Sequence, residues 1–477
     1  MGGFARRVAS GTACALVACL LAAAAVANGA SGTVAFPLAA ALALAGAAIL
    51  APRVPRTIAC AVTGRRGALF CVLALAAVLA TARLSFTMSR PPAPVSWTGS
   101  EFLRNHSCAT SYYRGGLDVT RVDNVYDLTH YVGPDGRSTE IEGFKTDPYQ
   151  YPPMFLLLAA PIARAVPHYL GFRGVWFALM GGLALVAFLR LGGWLGGAWV
   201  WWSLLAWLAI PTQVTLQAGN FQIGAVALAV LGMIFVGEGR KLAGGALVGF
   251  AAAAKIFPGV LIVYLLARRE YRAVAAAVVT GVVAALLAAA FFGIGPLELF
   301  ATWHLPRLDS GEALPALRLP GALAINVSVP GLLLKAQLFG ASISRELLSA
   351  AGWIYSAAVL ILAALVGRRP AAGRVGEAAT WLALVGLAAM RSPFLPNSYG
   401  TLPAIWIATI LLAAGRTRAA VVALVALNLY LPNDAPLPLA VKAAAAGVNH
   451  AAALLLYGWA LVGIGRSIEV PRGGDNQ

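Results

Sequence analysis

The chain has 477 residues, is 60% hydrophobic and only 11% charged, and has a mean hydropathy of +0.79. An ordinary soluble protein is excluded, since charged residues there approach ~25%, and the continuous rather than alternating apolar runs exclude a transmembrane β-barrel. The net charge of +17 does not point to nucleic acid. Its Arg and Lys residues sit in short clusters between apolar runs, so the expected partners are membrane lipids.

A basic start, Met1 to Arg7, leads into an Ala-rich run to about Ala27. Further apolar segments follow at once, so this run reads as a retained span rather than a cleaved signal peptide. A second run covers about 33–50, and the linker behind it carries Arg53, Arg56, Arg65 and Arg66, which places it in the cytoplasm. A third run follows at about 68–84, and residues 1–84 form a set of N-terminal membrane helices.

The segment 85–151 departs from this pattern. It holds Glu101, Arg104, His106, Arg114, Asp118, Arg121, Asp123, Asp127, Asp135, Arg137, Glu140, Glu142, Lys145 and Asp147. Its aromatics, Tyr112, Tyr113, Tyr126, Tyr131, Phe144, Tyr149 and Tyr151, predict a folded loop with short helices rather than a disordered linker. The positive-inside rule puts this loop outside.

A central bundle, 152–292, follows, with spans near 154–166, 175–191 and 194–210 and a Trp-rich part that need not cross fully. Between Arg240/Lys241 and Arg268/Arg269/Arg272 the apolar stretch is short for two spans, and Lys255 and Pro258 lie in its middle. That predicts a broken or re-entrant hairpin. Residues 293–343 form a second external loop, 344–466 a C-terminal bundle, and 467–477 a polar cytoplasmic tail. Roughly 13 hydrophobic segments result, with both termini in the cytoplasm. No internal repeat of the transporter kind is visible.

The first loop offers Asp118, Asp127, Asp147 and His106 as groups able to take a proton from an acceptor hydroxyl. Lys255 is a cation inside an apolar run, which is costly and marks a functional site by default. Asn220 and Gln222 place two amides at a helix start, where Asn220 also suits a cap. Arg307, Asn326, Lys335 and Arg391 sit where a lipid-linked phosphate could be gripped, with headgroup snorkelling as the plain alternative. Of five cysteines, only Cys108 lies in the loop, and no Cys/His spacing points to a metal. No nucleotide-binding motif stands out and no cytoplasmic segment is long enough for a nucleotide-binding domain, so a sugar donor would be a membrane lipid.

The order of short motifs is similar to glycosyltransferase family 87, the DUF2029-type polyprenyl-phosphate-mannose-dependent mannosyltransferases of the GT-C superfamily. The similar residues are Tyr112-Tyr113, Asn124-Val125-Tyr126-Asp127, Tyr151-Pro152-Pro153, Gly219-Asn220-Phe221-Gln222, Lys255-Ile256-Phe257-Pro258 with Arg268-Arg269, Asn326-Val327-Ser328 with Gly331 and Lys335, and Ser392-Pro393 with Tyr399 and Pro403. The resemblance implies an all-α polytopic membrane protein, a GT-C-like bundle with two long external loops. It implies transfer of a sugar, mannose in the usual case, from a polyprenyl-phosphate donor to a lipid or glycan acceptor at the outer face of the inner membrane, with no cofactor. Where the family carries an aspartate before the paired aromatics, this chain has His106-Ser107-Cys108-Ala109. The base is then sought among His106, Asp118, Asp127 and Asp147. A flippase or transporter and a non-catalytic membrane subunit are the competing readings, though intramembrane polar residues are almost confined to Lys255.

Overall fold

The computed structural model describes residues 2–50, 67–90, 102–133, 137–197, 199–370, 373–432 and 435–462. Arg53, Arg56, Arg65, Arg66, Cys60, Glu101, Asp135, the side chain of Arg318 and the tail after Arg466 lie outside the described residues. The fold is almost wholly helical, and its one described sheet is a two-residue ladder pairing Glu140–Ile141 with Phe144–Lys145.

Among the described residues, six helices are long and apolar enough to cross a membrane: Ala5–Ala27, Gly67–Met88, Tyr169–Trp194, Tyr271–Phe292, Arg345–Gly367 and Leu439–Val462. A seventh crossing is available if the bent pair Ile210–Ala218 and Gln222–Gly237 counts as one span. Among the described residues the other apolar segments are helices of 10–17 residues, most of them short of the ~20 residues a crossing takes. The Trp-rich segment is one of these. It forms only Trp199–Leu208, with Trp199, Trp201, Trp202 and Trp207 buried, and at ~1.5 Å per residue it falls well short of a bilayer. Against the roughly 13 hydrophobic segments of the sequence, the described residues thus hold six helices of full crossing length, or seven with the bent pair.

Lipid-facing and core-facing surfaces are distinct. The Tyr271–Phe292 helix leaves Val278, Val279, Val282 and Leu286 more than half exposed, as a helix bathed in lipid can. Its other face meets Lys241–Ala254 at Gly245 and Gly249, where an added Cβ would stand 2.1 and 2.3 Å from the carbonyls of Ala273 and Ala277. This is small-residue packing of the kind that lets membrane helices approach closely.

The first loop folds on itself and on the bundle. It contains the helices Phe102–Asn105 and Ala109–Asp118 and a single turn at Leu128–His130. Tyr112, Tyr126, Tyr131, Phe144 and Tyr149 are all buried. The tyrosine hydroxyls find local acceptors, as in Tyr131 Oη to the Val125 carbonyl at 2.7 Å and Tyr149 Oη to that of Pro152 at 2.9 Å. The second loop lies against the first. His304, at the end of a π-helical turn Phe300–His304, stacks on Tyr126 with centroids 4.3 Å apart, and Gln150 Nε2 donates to the Ala313 carbonyl at 2.9 Å.

Candidate active site

Two breaks in the central helices face each other. The first is an elbow of 112° between Ile210–Ala218 and Gln222–Gly237. Gly219 makes the turn with φ +67°, and a Cβ there would stand 2.9 Å from that of Ala109. Glycine thus answers both the left-handed conformation and the close approach of the loop. The elbow strands backbone groups that lipid cannot satisfy, and the first loop and its neighbours take them up. The Ala218 carbonyl accepts from the Cys108 amide at 2.7 Å and from Ser107 Oγ at 3.2 Å. The Gly219 carbonyl accepts from Trp176 Nε1 at 2.9 Å, and the Phe221 amide donates to Tyr112 Oη at 3.2 Å. Asn220 Oδ1 accepts from the Gln222 amide at 2.9 Å and so caps the second arm.

The second break lies between Lys241–Ala254 and the turn Phe257–Gly259, at Lys255. The sequence places a broken hairpin here, and the chain breaks here. Lys255 Nζ reaches across to Asn220 Oδ1 at 3.0 Å and to Tyr151 Oη at 3.2 Å. Tyr112 Oη donates to Tyr151 Oη at 2.8 Å, so one polar chain links both breaks to the loop. An edge-on aromatic cluster of Tyr112, Tyr151, Phe155, Trp176 and Phe221 fixes these rings.

Next to this chain lie His106, Cys108 and Asp147. His106 Nδ1 stands 3.3 Å from Asp147 Oδ1, and its Nε2 faces Cys108 Sγ at 3.8 Å. Burial disfavours the imidazolium, but the Asp147 carboxylate and the Cys108 contact outweigh it and push the His106 pKa up to about 9. Burial holds the Asp147 carboxyl above the usual range, against the pull of His106. Around neutral pH His106 is thus an imidazolium, held beside Asp147.

The remaining candidates are placed elsewhere. Asp118 pairs with Arg114 one helical turn away. Asp127 caps the Leu128–His130 turn by accepting from the Thr129 amide at 2.9 Å. Both carboxylates have local structural work, and the structure gives neither a contact with Lys255 or His106. Arg307 pairs with Glu312 at 3.0 Å and lies over the Trp303 ring. Arg391 pairs with Asp309 and donates to Ser356 Oγ at 2.9 Å. Each arginine is neutralised by a carboxylate of the second loop, which ties that loop down. Lys335 has no ion-pair partner among the described residues, and burial brings its pKa down to about 8. Gln222 is buried beside Asn220, with its Nε2 unpartnered among the described residues.

Asn326 is a brace. Its Oδ1 accepts from the amides of Ser328 at 3.1 Å and Leu395 at 3.0 Å, and its Nδ2 donates to the Pro393 carbonyl at 2.9 Å. Replacing Asn326 with Ala orphans two buried backbone amides, those of Ser328 and Leu395, while the Pro393 carbonyl keeps Ser328 Oγ at 3.1 Å. It is expected to cost about 3 kcal/mol of stability, read as a fall in the thermal midpoint of the purified protein, with donor affinity of the folded fraction unchanged.

Sequence reasoning passed over Cys108, Tyr399 and the Tyr112–Tyr151 hydroxyl pair as parts of the site. The available signal was the placing of Cys108 two residues after His106 and shortly before Tyr112-Tyr113.

The comparisons with known proteins bear on this geometry. No curated protein and no solved structure matches the chain. The sequence profile of Glycosyltransferase family 87 matches residues 149–393. That stretch opens at Tyr149 and Tyr151, takes in the elbow and the Lys255 break, and closes on the Pro393 carbonyl that holds Asn326. It spans just over half of the sequence, and the chain, a membrane glycosyltransferase, belongs to glycosyltransferase family 87.

Proposed function

We propose that this enzyme moves a sugar, mannose in our reading, from a polyprenyl-phosphate donor to a lipid or glycan acceptor at the outer face of the inner membrane. The observation that carries the reading is the meeting of Lys255, a cation set between apolar helices, with Asn220 and the loop tyrosine Tyr151. Glycosyl transfer from a phosphate leaving group needs positive charge on the phosphate side and a proton acceptor on the hydroxyl side. Lys255 and Asn220 serve the first need, and the His106–Asp147 pair stands on the side of the second. Ile256, next to Lys255, is 54% exposed, which suits a site fed by a lipid.

In this reading the first and second loops face outward, and the two chain termini lie in the cytoplasm. Arg268, Arg369 and Arg416 then fall on the cytoplasmic side. The test uses inner-membrane vesicles carrying the enzyme, supplied with radiolabelled polyprenyl-phosphate mannose or with a nucleotide-linked mannose. Transfer from the lipid donor alone is expected. A single cysteine introduced at Thr129 or at Ser310 should react with an impermeant maleimide added from outside. Labelling of either from the cytoplasmic side alone overturns the shared face. Transbilayer movement of the donor without transfer would favour a flippase instead.

A further inference from the structure

Cys108 occupies a position that a space-filling cysteine has no need of. Its Sγ meets a ring nitrogen, His106 Nε2 at 3.8 Å, an amide nitrogen, Asn220 Nδ2 at 3.4 Å, and a phenol, Tyr399 Oη at 3.6 Å. The Asn220 amide is held in one orientation, because its Oδ1 is already taken by Lys255 Nζ and the Gln222 amide. Its Nδ2 therefore donates to the sulfur. The backbone is fixed as well, by the Cys108 amide bond to the Ala218 carbonyl at 2.7 Å. Cys108 directly precedes the ten-residue helix Ala109–Asp118, whose positive end favours negative charge at that position. It is a free thiol and only half-buried, so a substrate can reach it.

His106 lies between two groups. One ring nitrogen faces Asp147 and the other faces the sulfur. This is the arrangement in which a thiol or hydroxyl is activated by a base that a carboxylate in turn orients. His106, Cys108 and Asp147 also present ligand atoms within 4.8 Å of one another, which could hold a metal ion. A metal, however, binds one nitrogen of an imidazole. Here the sulfur and the carboxylate address opposite nitrogens, an order that suits proton handling better than shared ligation.

On the proposed transfer from a lipid phosphate, we propose that Cys108 is the catalytic base, with His106 and Asp147 as its positioning residues. The acceptor O–H bond breaks and its proton goes to the Cys108 thiolate. The oxygen's electron pair forms the new bond to the anomeric carbon. The bond from that carbon to the phosphate oxygen breaks, and its pair leaves on the polyprenyl phosphate, whose added negative charge faces Lys255. The thiol then returns its proton to water. The negative charge has passed from sulfur to phosphate, so atoms and charge balance without a further reactant.

The test has one arm that needs donor and one that does not. In detergent-purified full-length enzyme, Cys108→Ala and Cys108→Ser are each expected to lower kcat by about 10²-fold or more. Cys108→Asp, which puts a carboxylate base at the same place, should restore activity to within about tenfold of the parent. Cys71→Ser, in the Gly67–Met88 helix, should leave it unchanged. In the second arm, iodoacetamide labelling at pH 7 is followed peptide by peptide by mass spectrometry. Cys108 should react faster than Cys14 or Cys71, and His106→Gln should slow it about tenfold. Full activity in Cys108→Ser overturns the proposal. So does labelling that ignores His106→Gln, a hexose found covalently on the Cys108 peptide, or a stoichiometric metal ion lost in the Cys108→Ser variant. If the parent enzyme turns over no lipid donor, the functional reading fails, and the labelling contrast still decides whether His106 activates the thiol.

Discussion

Lys255→Met should leave the protein folded and membrane-inserted but lower kcat with a polyprenyl-phosphate donor by about 10²–10³-fold, the usual cost of removing one charge-stabilising donor from an active site. The expectation rests on position. Lys255 is the cation at a helix break, bonded to Asn220 and Tyr151, while Arg307 and Arg391 are each held by a second-loop carboxylate. Methionine keeps the unbranched length and removes the charge, so packing should change little. Lys255→Arg should recover part of the loss, because a planar fork cannot reproduce a compact ammonium bonded to two oxygens. Turnover measured at equal protein amounts in membranes decides the matter. Full activity in Lys255→Met would leave the lipid phosphate to other cations, with Lys335, which has no ion-pair partner among the described residues, as the first to try.

Asp147→Asn should have an effect of similar size and also change its shape against pH. His106 owes its raised pKa of about 9 to the Asp147 carboxylate acting against burial. A raised value means the protonated ring persists through neutral pH and is lost as pH rises through about 9. Activity that uses the imidazolium should hold over that range and fall above it. Without the carboxylate, burial alone remains and lowers the pKa, so the alkaline limb should move down in pH while kcat drops about 10²-fold. A pH–rate profile on both proteins is sufficient. An alkaline limb that stays in place in Asp147→Asn would detach His106 from the reaction.

The sequence made some of this site readable. Lys255 was visible because charge inside an apolar run is costly, and Pro258 marked the break beside it. The folding of the first loop was visible in its tyrosines, which form its buried core. Asn220 was legible as a cap, and it is one, but its second role toward Lys255 and Cys108 depends on the elbow. Two of the candidate bases also have local partners. Arg114 to Asp118 is an i, i+4 spacing, and Asp127 to Thr129 is an ordinary capping contact. Both uses were present in the sequence. The neutralisation of Arg391 by Asp309 was not, since 82 residues separate them. The same holds for His106 and Asp147, which the pairing of His106 with Lys145 and the bond from the Asp147 amide to Thr110 Oγ1 bring together within the loop. A short apolar run does not reveal its length as a crossing, and the Trp199–Leu208 helix shows why: its rings are buried in protein rather than spread across lipid.

The way the first loop is fastened also sets the route by which substrates come and go. Its Cys108 amide and Tyr112 hydroxyl complete the hydrogen bonding of Ala218 and Phe221 at the elbow. Lifting the loop would leave those backbone groups bare within the membrane domain, at a cost of several kcal/mol. The loop is therefore a fixed roof rather than a swinging door. On the proposed transfer from a lipid phosphate, the donor would run sideways beneath it, its long chain staying in the bilayer near the exposed Ile256 while its head group alone turns in toward Lys255.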